Sequence, residues 1–276
     1  MKWNRRKITD RAMYFLTAAC VAIAIIPLLS ILYMVTINGI PAINFDFLTQ
    51  LPKPVGEAGG GLGNAIQGTF IVVGMACAIG LPIGILSGIY LSEYGQNKFG
   101  RAVSFVADVL TGTPSIIAGI FGYTFIVLYF RSFSAIAGGV ALSVLMIPVV
   151  TRTTEESLKL VPGSIKEASL ALGISRWRTI LYVVLSTARS GIITGALLAI
   201  ARISGETAPL LFTSFGNMFW FGGIDKPIST LPVQIYTYAI TPFPDWHAKA
   251  WGGALILIVL VLVLNIGVRF VIRKKI

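Results

Sequence analysis

Long runs of apolar residues, separated by shorter polar segments, dominate the pattern along this chain. A helix needs about 20 apolar residues to cross the ~30 Å hydrocarbon core of a bilayer. The stretches that approach or reach this length are 15–37, 69–91, 114–130, 136–151, 190–212 and 250–272. The pattern therefore predicts an all-α integral membrane protein, a polytopic bundle of about six transmembrane helices.

Composition supports the same interpretation. Hydrophobic residues make up 55% of the 276 residues and charged residues only 12%, about half the charged fraction that is usual in soluble domains. No polar segment is long enough to fold as a soluble domain. We therefore expect a cytoplasmic N-terminal segment at 1–14, a first transmembrane helix at 15–37 that is too long for a cleaved signal peptide, and a membrane core at 60–276 with five helices.

The distribution of basic residues predicts the orientation. The net charge is +11, which in a soluble protein would suggest a nucleic-acid partner. Here 17 of the 22 Lys and Arg residues fall in segments that are cytoplasmic when the N-terminus is inside, and four fall in the outside segments. This bias predicts a multi-pass protein of the plasma (inner) membrane with both termini in the cytoplasm, and it removes the main support for nucleic acid.

Residues for enzymatic chemistry are scarce in the sequence. One His and two Cys cannot form a metal cluster, and no Walker A sequence is present. We therefore expect no metal, no cofactor and no ATP hydrolysis by this chain itself.

The longest cytoplasmic segment, 152–189, is predicted to form a helix-turn-helix. Ser164 and Glu167 have the spacing of a capping box, and Gly173 is suited to end the helix that follows. Ser175 is placed to cap a second helix that begins at Arg176. Because both ends continue into membrane spans, a docking surface for a cytoplasmic protein is favoured over a DNA-binding motif.

The fifth span contains a charged pair, Arg202 and Glu206. Counted from residue 190, Arg202 lies ~18 Å into the bilayer, just past its middle. The i, i+4 spacing allows the two side chains to pair on one helix face. Ser204 and Thr207 flank them and complete a predicted substrate pathway for an anion, in which the guanidinium would meet the oxyanion. The alternative is an ion pair that only fixes helix packing.

Glycines and a proline in the second and fifth spans indicate how these helices pack. Gly191 and Gly195 are expected on the same face of the fifth span as the charged pair, and Pro209 is expected to remove one hydrogen bond from a continuous helix. The second span carries a glycine at every fourth position, Gly80, Gly84 and Gly88, which predicts close contact with a neighbouring helix of the same chain.

The loop motif resembles the coupling loop of ABC-importer permeases. The residues that carry the resemblance are Glu167-Ala168-Ser169, then Gly173, although Ser169 and Ser186 stand where that family usually has alanine and proline. The resemblance implies that this helix enters a cleft of an ATP-hydrolysing subunit. The residues expected to couple to that subunit are Ser164, Glu167, Ala168, Gly173 and Arg176.

A more specific resemblance is carried by the fifth span. Its stretch Ala-Arg-Ile-Ser-Gly-Glu-Thr-Ala-Pro-Leu-Leu, at 201–211, is similar to the phosphate-importer permeases of the PstA family, as are Thr111-Gly-Thr-Pro-Ser115 and the glycines near residue 60. The resemblance covers 60–276 and implies a MetI-like ABC permease fold that moves inorganic phosphate. It also implies three kinds of partner: a PstC-like second permease, two PstB-like ATP-binding subunits and a PstS-like extracytoplasmic phosphate-binding protein.

Two alternatives stay open at this point. The same architecture could carry another oxyanion, namely molybdate, sulfate or phosphonate. A self-sufficient secondary transporter is less favoured, because the sequence suggests neither an inverted repeat nor broken helices in two halves.

Overall fold

The fold is described from a computed structural model of the chain, which covers residues 2–57 and 59–273, with side chains at 5–57 and 59–267. Lys274 and Lys275, which the charge count assigns to the cytoplasm, lie outside this part, as do the side chains of Lys2, Arg269 and Arg273.

Within the described residues the fold is all-α, apart from one isolated bridge between Phe215 and Ile228. The helices are α1 (Lys2–Gly39), α2 (Phe45–Thr49), α3 (Gly63–Tyr94), α4 (Lys98–Gly112), α5 (Ser115–Gly122), α6 (Leu128–Phe130), α7 (Ala135–Lys159), α8 (Gly163–Ala171), α9 (Arg176–Arg178), α10 (Leu185–Ser204), α11 (Ala208–Thr213), α12 (Leu231–Ala239) and α13 (Pro244–Arg273). π-Helical turns at Tyr123–Val127 and Thr179–Val184 join α5 to α6 and α9 to α10, and a 3₁₀ turn at Ile40–Ala42 follows α1.

Five helical runs in this part of the chain are long and apolar enough to span a membrane, and a sixth span is possible if a bent pair of helices counts as one. The bent pair is α4 followed by the run Ser115–Phe130, at an angle of 106°. The third predicted span, 114–130, is therefore only the second limb of this pair. Helix α4 was not predicted, because it is amphipathic and carries charges and so lacks an uninterrupted apolar run.

Glycines bring α3 and α7 into close contact. Gly80, Gly84 and Gly88 face Met146, Val150 and Thr154 in turn, and a Cβ on Gly84 would lie 2.7 Å from the Val150 Cβ. Residue numbers rise in the same direction along both helices, so the two helices run parallel. The prediction that these glycines mediate packing within the chain is confirmed.

Helix α10 packs on α7 in the opposite direction. Gly191 abuts Ser157 and Gly195 abuts Thr153, so numbers rise along one helix as they fall along the other. Continued at the same register, this pairing sets Arg202 level with Met146. Met146 is fully buried near the midpoint of the 25-residue α7, so Arg202 lies at mid-depth of the bundle.

The fifth span is broken, and the expectation of one continuous helix over 190–212 is wrong. Helix α10 ends at Ser204, and α11 begins at Ala208 with Pro209 in its first turn. Pro209 is tolerated there because the first amides of a helix have no intrahelical partner. The chain nevertheless keeps its course, because Leu210 faces Gly138, which is the register that the α7–α10 contacts predict.

The segment after α11 folds back onto the N-terminal part of α3. The Leu231 amide donates to Thr69 Oγ1 at 2.8 Å, and the neighbouring Ser229 is buried. Tyr238 of α12 is 1% exposed, and burial raises the pKa of its hydroxyl. An aromatic residue suits a bilayer interface and a protein core equally well, so only the tertiary structure places Tyr238 in the core.

Candidate functional site: a charged pair at a broken span

The charged pair forms at the end of α10. Arg202 Nε lies 3.8 Å from Glu206 Oε1, beyond hydrogen-bond distance. The Arg202 side chain is 47% exposed on the surface of this chain and the Glu206 side chain 18%. The pair is therefore an electrostatic contact that leaves the N–H groups of the guanidinium free to bind something else.

The backbone between the two helices is tightly turned. The amides of Gly205 and Glu206 donate to the carbonyls of Arg202 and Ile203 at 3.2 and 3.3 Å, and the next helix starts with the Leu210 amide donating to Thr207. Non-helical backbone at membrane depth persists only where it is buried in protein or lines a polar cavity. The break thus marks this level of the bundle as one where polar groups are accommodated.

Ser204 and Thr207 do not stand equally close to the pair. Ser204 is 2% exposed, and its hydroxyl donates to the Ile200 carbonyl at 2.7 Å. Residues two apart on a helix point in different directions. Ser204 therefore faces the packed side of α10, and Arg202 faces its open side. Thr207 is half-buried within the break itself. Of the four residues predicted for the pathway, Arg202 and Glu206 form a pair, Thr207 follows Glu206 in the break, and Ser204 lies on the packed side.

The small residues of the fifth span serve contact between helices of the chain. Gly191 and Gly195 meet the side chains of Ser157 and Thr153 on α7, so they serve helix packing and line no open path. Thr194 and Leu198, two turns and one turn before Arg202, form the exposed face.

At the other end of the bundle, residues 160–175, called the coupling segment below, connect α7 to α9. The predicted cytoplasmic loop, 152–189, includes this segment together with the end of α7, which continues to Lys159, and the helical run that begins at Arg176.

The predicted capping box is absent. Pro162 is the N-cap of α8 and makes no side-chain cap bond. Ser164 therefore lies inside the first turn, two residues past the N-cap position from which it could pair reciprocally with Glu167. Pro162 sets this start because its ring fixes φ and prevents the helix from extending backward.

The end of α8 agrees with the prediction. Gly173 has φ +78°, its amide donates to Leu170, and the Ile174 amide donates to Ser169, which is the paired pattern of a Schellman motif. Ser175 occupies the N-cap position of α9 without a side-chain bond.

The surface of the coupling segment is open. Ser164, Glu167 and Ala168 are exposed, and Leu172 is 81% exposed. Ser169 is buried, and its hydroxyl lies 2.9 Å from that of Thr179. Serine at this position thus gains a hydrogen bond that the alanine of the motif could not make.

Arg176, predicted to contact an ATPase, also interacts within its own chain. Its guanidinium lies 5.1 Å from the centre of the Tyr94 ring and 4.0 Å from Glu93 Oε2. Sequence reasoning missed Glu93, which ends an apolar span between aromatic residues. An acidic residue at such a span end was the signal available.

Among the described residues, no cluster of His, Cys, Asp or Glu could hold a metal. The chemistry available at the charged pair is therefore electrostatic recognition by a guanidinium, balanced by one carboxylate.

Comparison with known proteins adds the family context. Residues 80–276 match the family described as binding-protein-dependent transport system inner membrane component. The phosphate transport system permease protein PstA of Yersinia pestis is 44% identical over 99% of this chain and 92% of its own length, and that of Haemophilus influenzae is 45% identical over 100% and 98%. The probable PstA of Methanocaldococcus jannaschii is 34% identical over 98% of this chain and 96% of its own length.

A solved structure shares the fold. An inward-facing structure of the MetNI methionine ABC transporter superposes with a TM-score of 0.61 at 22% identity, covering 77% of this chain and 93% of that chain. Fold, family match and full-length relatives agree, and this chain belongs to the binding-protein-dependent transport system inner membrane components, among the PstA-type permeases.

Proposed function

We propose that this chain is the membrane-spanning permease subunit of an ATP-driven importer that moves inorganic phosphate into the cytoplasm. The observation that carries the proposal is the Arg202–Glu206 pair, half open at mid-depth of a broken span.

The exposure of Arg202 requires a polar neighbour. A charge at the bilayer centre costs about 2.5 kcal/mol or more, so a guanidinium that is 47% exposed at this depth would not face lipid. A water-filled path against a second permease subunit satisfies it. The PstC-like partner of the family fits this place.

The chemistry of the pair suits an oxyanion. Guanidinium binds phosphate oxygens through two parallel N–H bonds, and Arg keeps its charge at any physiological pH. Glu206, at 3.8 Å, lowers the net positive charge of the site, which favours release after binding. The printed name of the relatives, phosphate transport system permease, supports phosphate as the particular oxyanion.

The coupling segment supports ATP-driven operation. Its exposed Leu170 and Leu172 form an apolar surface at the predicted cytoplasmic end, where no lipid would cover them. We assign this surface to one of two PstB-like ATP-binding subunits, with Glu167, Ala168 and Ser164 exposed at the contact. A PstS-like phosphate-binding protein would deliver substrate to the opposite, outer face.

Two alternatives remain in the proposal. Molybdate, sulfate or phosphonate could use the same guanidinium. One feature of the structure favours a secondary transporter: helices are broken at 112–115 and at 205–207. The family to which the chain belongs, and the open coupling segment, still favour the ATP-driven importer.

The decisive experiment measures uptake of labelled phosphate in cells that lack their own high-affinity system, supplied with this chain and the other subunits. Uptake that requires this chain, stops on ATP depletion and resists excess molybdate or sulfate is the expected result. Competition by one of those anions would change the substrate, and uptake without the ATP-binding subunits would overturn the mechanism.

A further inference from the structure

A buried carboxylate joins the coupling segment to the inner end of α3. Glu93 has a side chain that is only 8% exposed, and it pairs with Lys166 of α8. Its other oxygen lies 4.0 Å from Arg176 Nη2, on the far side of the Gly173 turn. One anion thus contacts cations on both arms of the turn.

Aromatic residues complete the same contact. The Arg176 guanidinium lies over the Tyr94 ring, and Tyr90 packs against Tyr94 with ring centres 5.6 Å apart. The Tyr90 hydroxyl accepts a 2.8 Å hydrogen bond from the amide of Asn97, the residue that caps α4. The inner end of α3 is therefore a built surface that orders the turn.

Apolar packing surrounds these polar contacts. Ile165 of α8 packs on a buried cluster that includes Leu158 and Val184, with Ile85 and Ile89 of α3 at its edge. Because apolar contact is non-directional, it holds α8 against its neighbours but does not fix the orientation of the helix. A charged hydrogen bond has a fixed direction, and Glu93 supplies one by accepting from Lys166, with the Arg176 charge close to its other oxygen.

Helix α3 leads from this point to the depth of the charged pair. Gly80, Gly84 and Gly88 hold it against α7 with no room for a side chain between them, so the two helices move as one body. Gly80 faces Met146, the residue at the level of Arg202.

We propose that Glu93 is a positioning residue of the transport cycle: it holds the coupling segment to α3, so that displacement of α8 by an ATP-binding subunit reaches the α3–α7 pair. This inference rests on the proposed function. Without the carboxylate, α8 would move over the inner end of α3 and nucleotide-driven motion would be lost before it reaches Arg202.

The test uses the complete transporter, with all its subunits, in proteoliposomes. ATP hydrolysis and uptake of labelled phosphate are measured in the same vesicles for wild type, Glu93→Gln and Lys166→Gln. We expect both variants to assemble and to hydrolyse ATP, while phosphate moved per ATP falls about tenfold, within the range of coupling between two sites. Glu156→Gln is the matched control. It alters an exposed carboxylate of α7 at the same end of the bundle as Glu93, and we expect the phosphate moved per ATP to stay unchanged.

The outcomes distinguish failure of the proposed function from failure of the role assigned to Glu93. Absence of ATP-driven phosphate uptake in wild type would contradict the proposed function itself. Normal wild-type uptake with an unchanged ratio in Glu93→Gln would overturn only the role of Glu93. Failure of Glu93→Gln to assemble would also overturn it, because the residue would then be purely structural.

Discussion

Two arginines at different depths of this bundle are bound in opposite ways. Arg152, toward the C-terminal end of α7, lies 2.6 Å from Asp108 Oδ1 and 2.6 Å from Glu155 Oε2, and it donates to the Ser104 carbonyl at 2.9 Å. Arg202 approaches one carboxylate at 3.8 Å and is about twice as exposed, 47% against 25%.

The difference separates a structural arginine from one with free binding capacity. The donors of Arg152 are used to fix α4 against α7, and a satisfied, partly buried network of this kind rigidifies its surroundings. Arg202 keeps donors available where lipid cannot satisfy them. A charge retained at such a cost in the membrane is a candidate for function, whereas a saturated one is accounted for by packing.

The comparison fails if Arg202 proves dispensable. We expect Arg202→Gln to reduce phosphate uptake about a hundredfold with assembly intact, the effect of losing charged hydrogen bonds to an anion. Uptake and the amount of assembled complex are measured together. Arg101→Gln, which alters an exposed arginine of α4, is the control and should transport normally.

The opposite result is expected at Arg152. Arg152→Gln leaves Asp108 unpaired and removes one of two cations from Glu155, whose side chain is 8% exposed. Because the arginine is itself a quarter exposed, we expect a loss of about 2 kcal/mol, less than for a fully buried pair. Thermal unfolding in detergent should show the loss, while uptake per folded complex stays near wild type. A selective loss of uptake would erase the distinction between the two arginines.

Packing at the broken span can be tested separately from its charge. A Cβ on Gly119 of α5 would lie 2.7 Å from the Pro209 Cα, and backbone cannot yield cheaply. We expect Gly119→Ala to destabilise the protein by about 1–2 kcal/mol. Gly74→Ala, where nothing lies within 4 Å of the added Cβ, should be neutral or slightly stabilising when unfolding is compared.

The smallest effect is expected at Glu206, the carboxylate paired with Arg202. Glu206→Gln removes the anion that competes for Arg202, so we expect a severalfold lower KM for phosphate together with a severalfold lower maximal rate. Initial uptake rates over a range of phosphate concentrations separate the two. A higher KM would mean that Glu206 orients Arg202 for binding and does not oppose it.

The sequence by itself determined the features that follow from local cost. Apolar length predicted the membrane spans, the spacing of Gly80, Gly84 and Gly88 predicted a close helix contact, and Arg202 with Glu206 predicted a pair at mid-depth. Each of these depends on one helix in one solvent: hydrocarbon sets the length, a missing side chain allows approach, and an intramembrane charge must find a partner.

Only the tertiary structure decided where helices break and which residues from distant segments meet. The break after Ser204, the burial of Tyr238 and the pairing of Glu93 with Lys166 each depend on groups brought from elsewhere in the chain. A helix can be interrupted, or a charge buried, wherever neighbouring elements satisfy the freed groups, and no local pattern records which neighbours arrive.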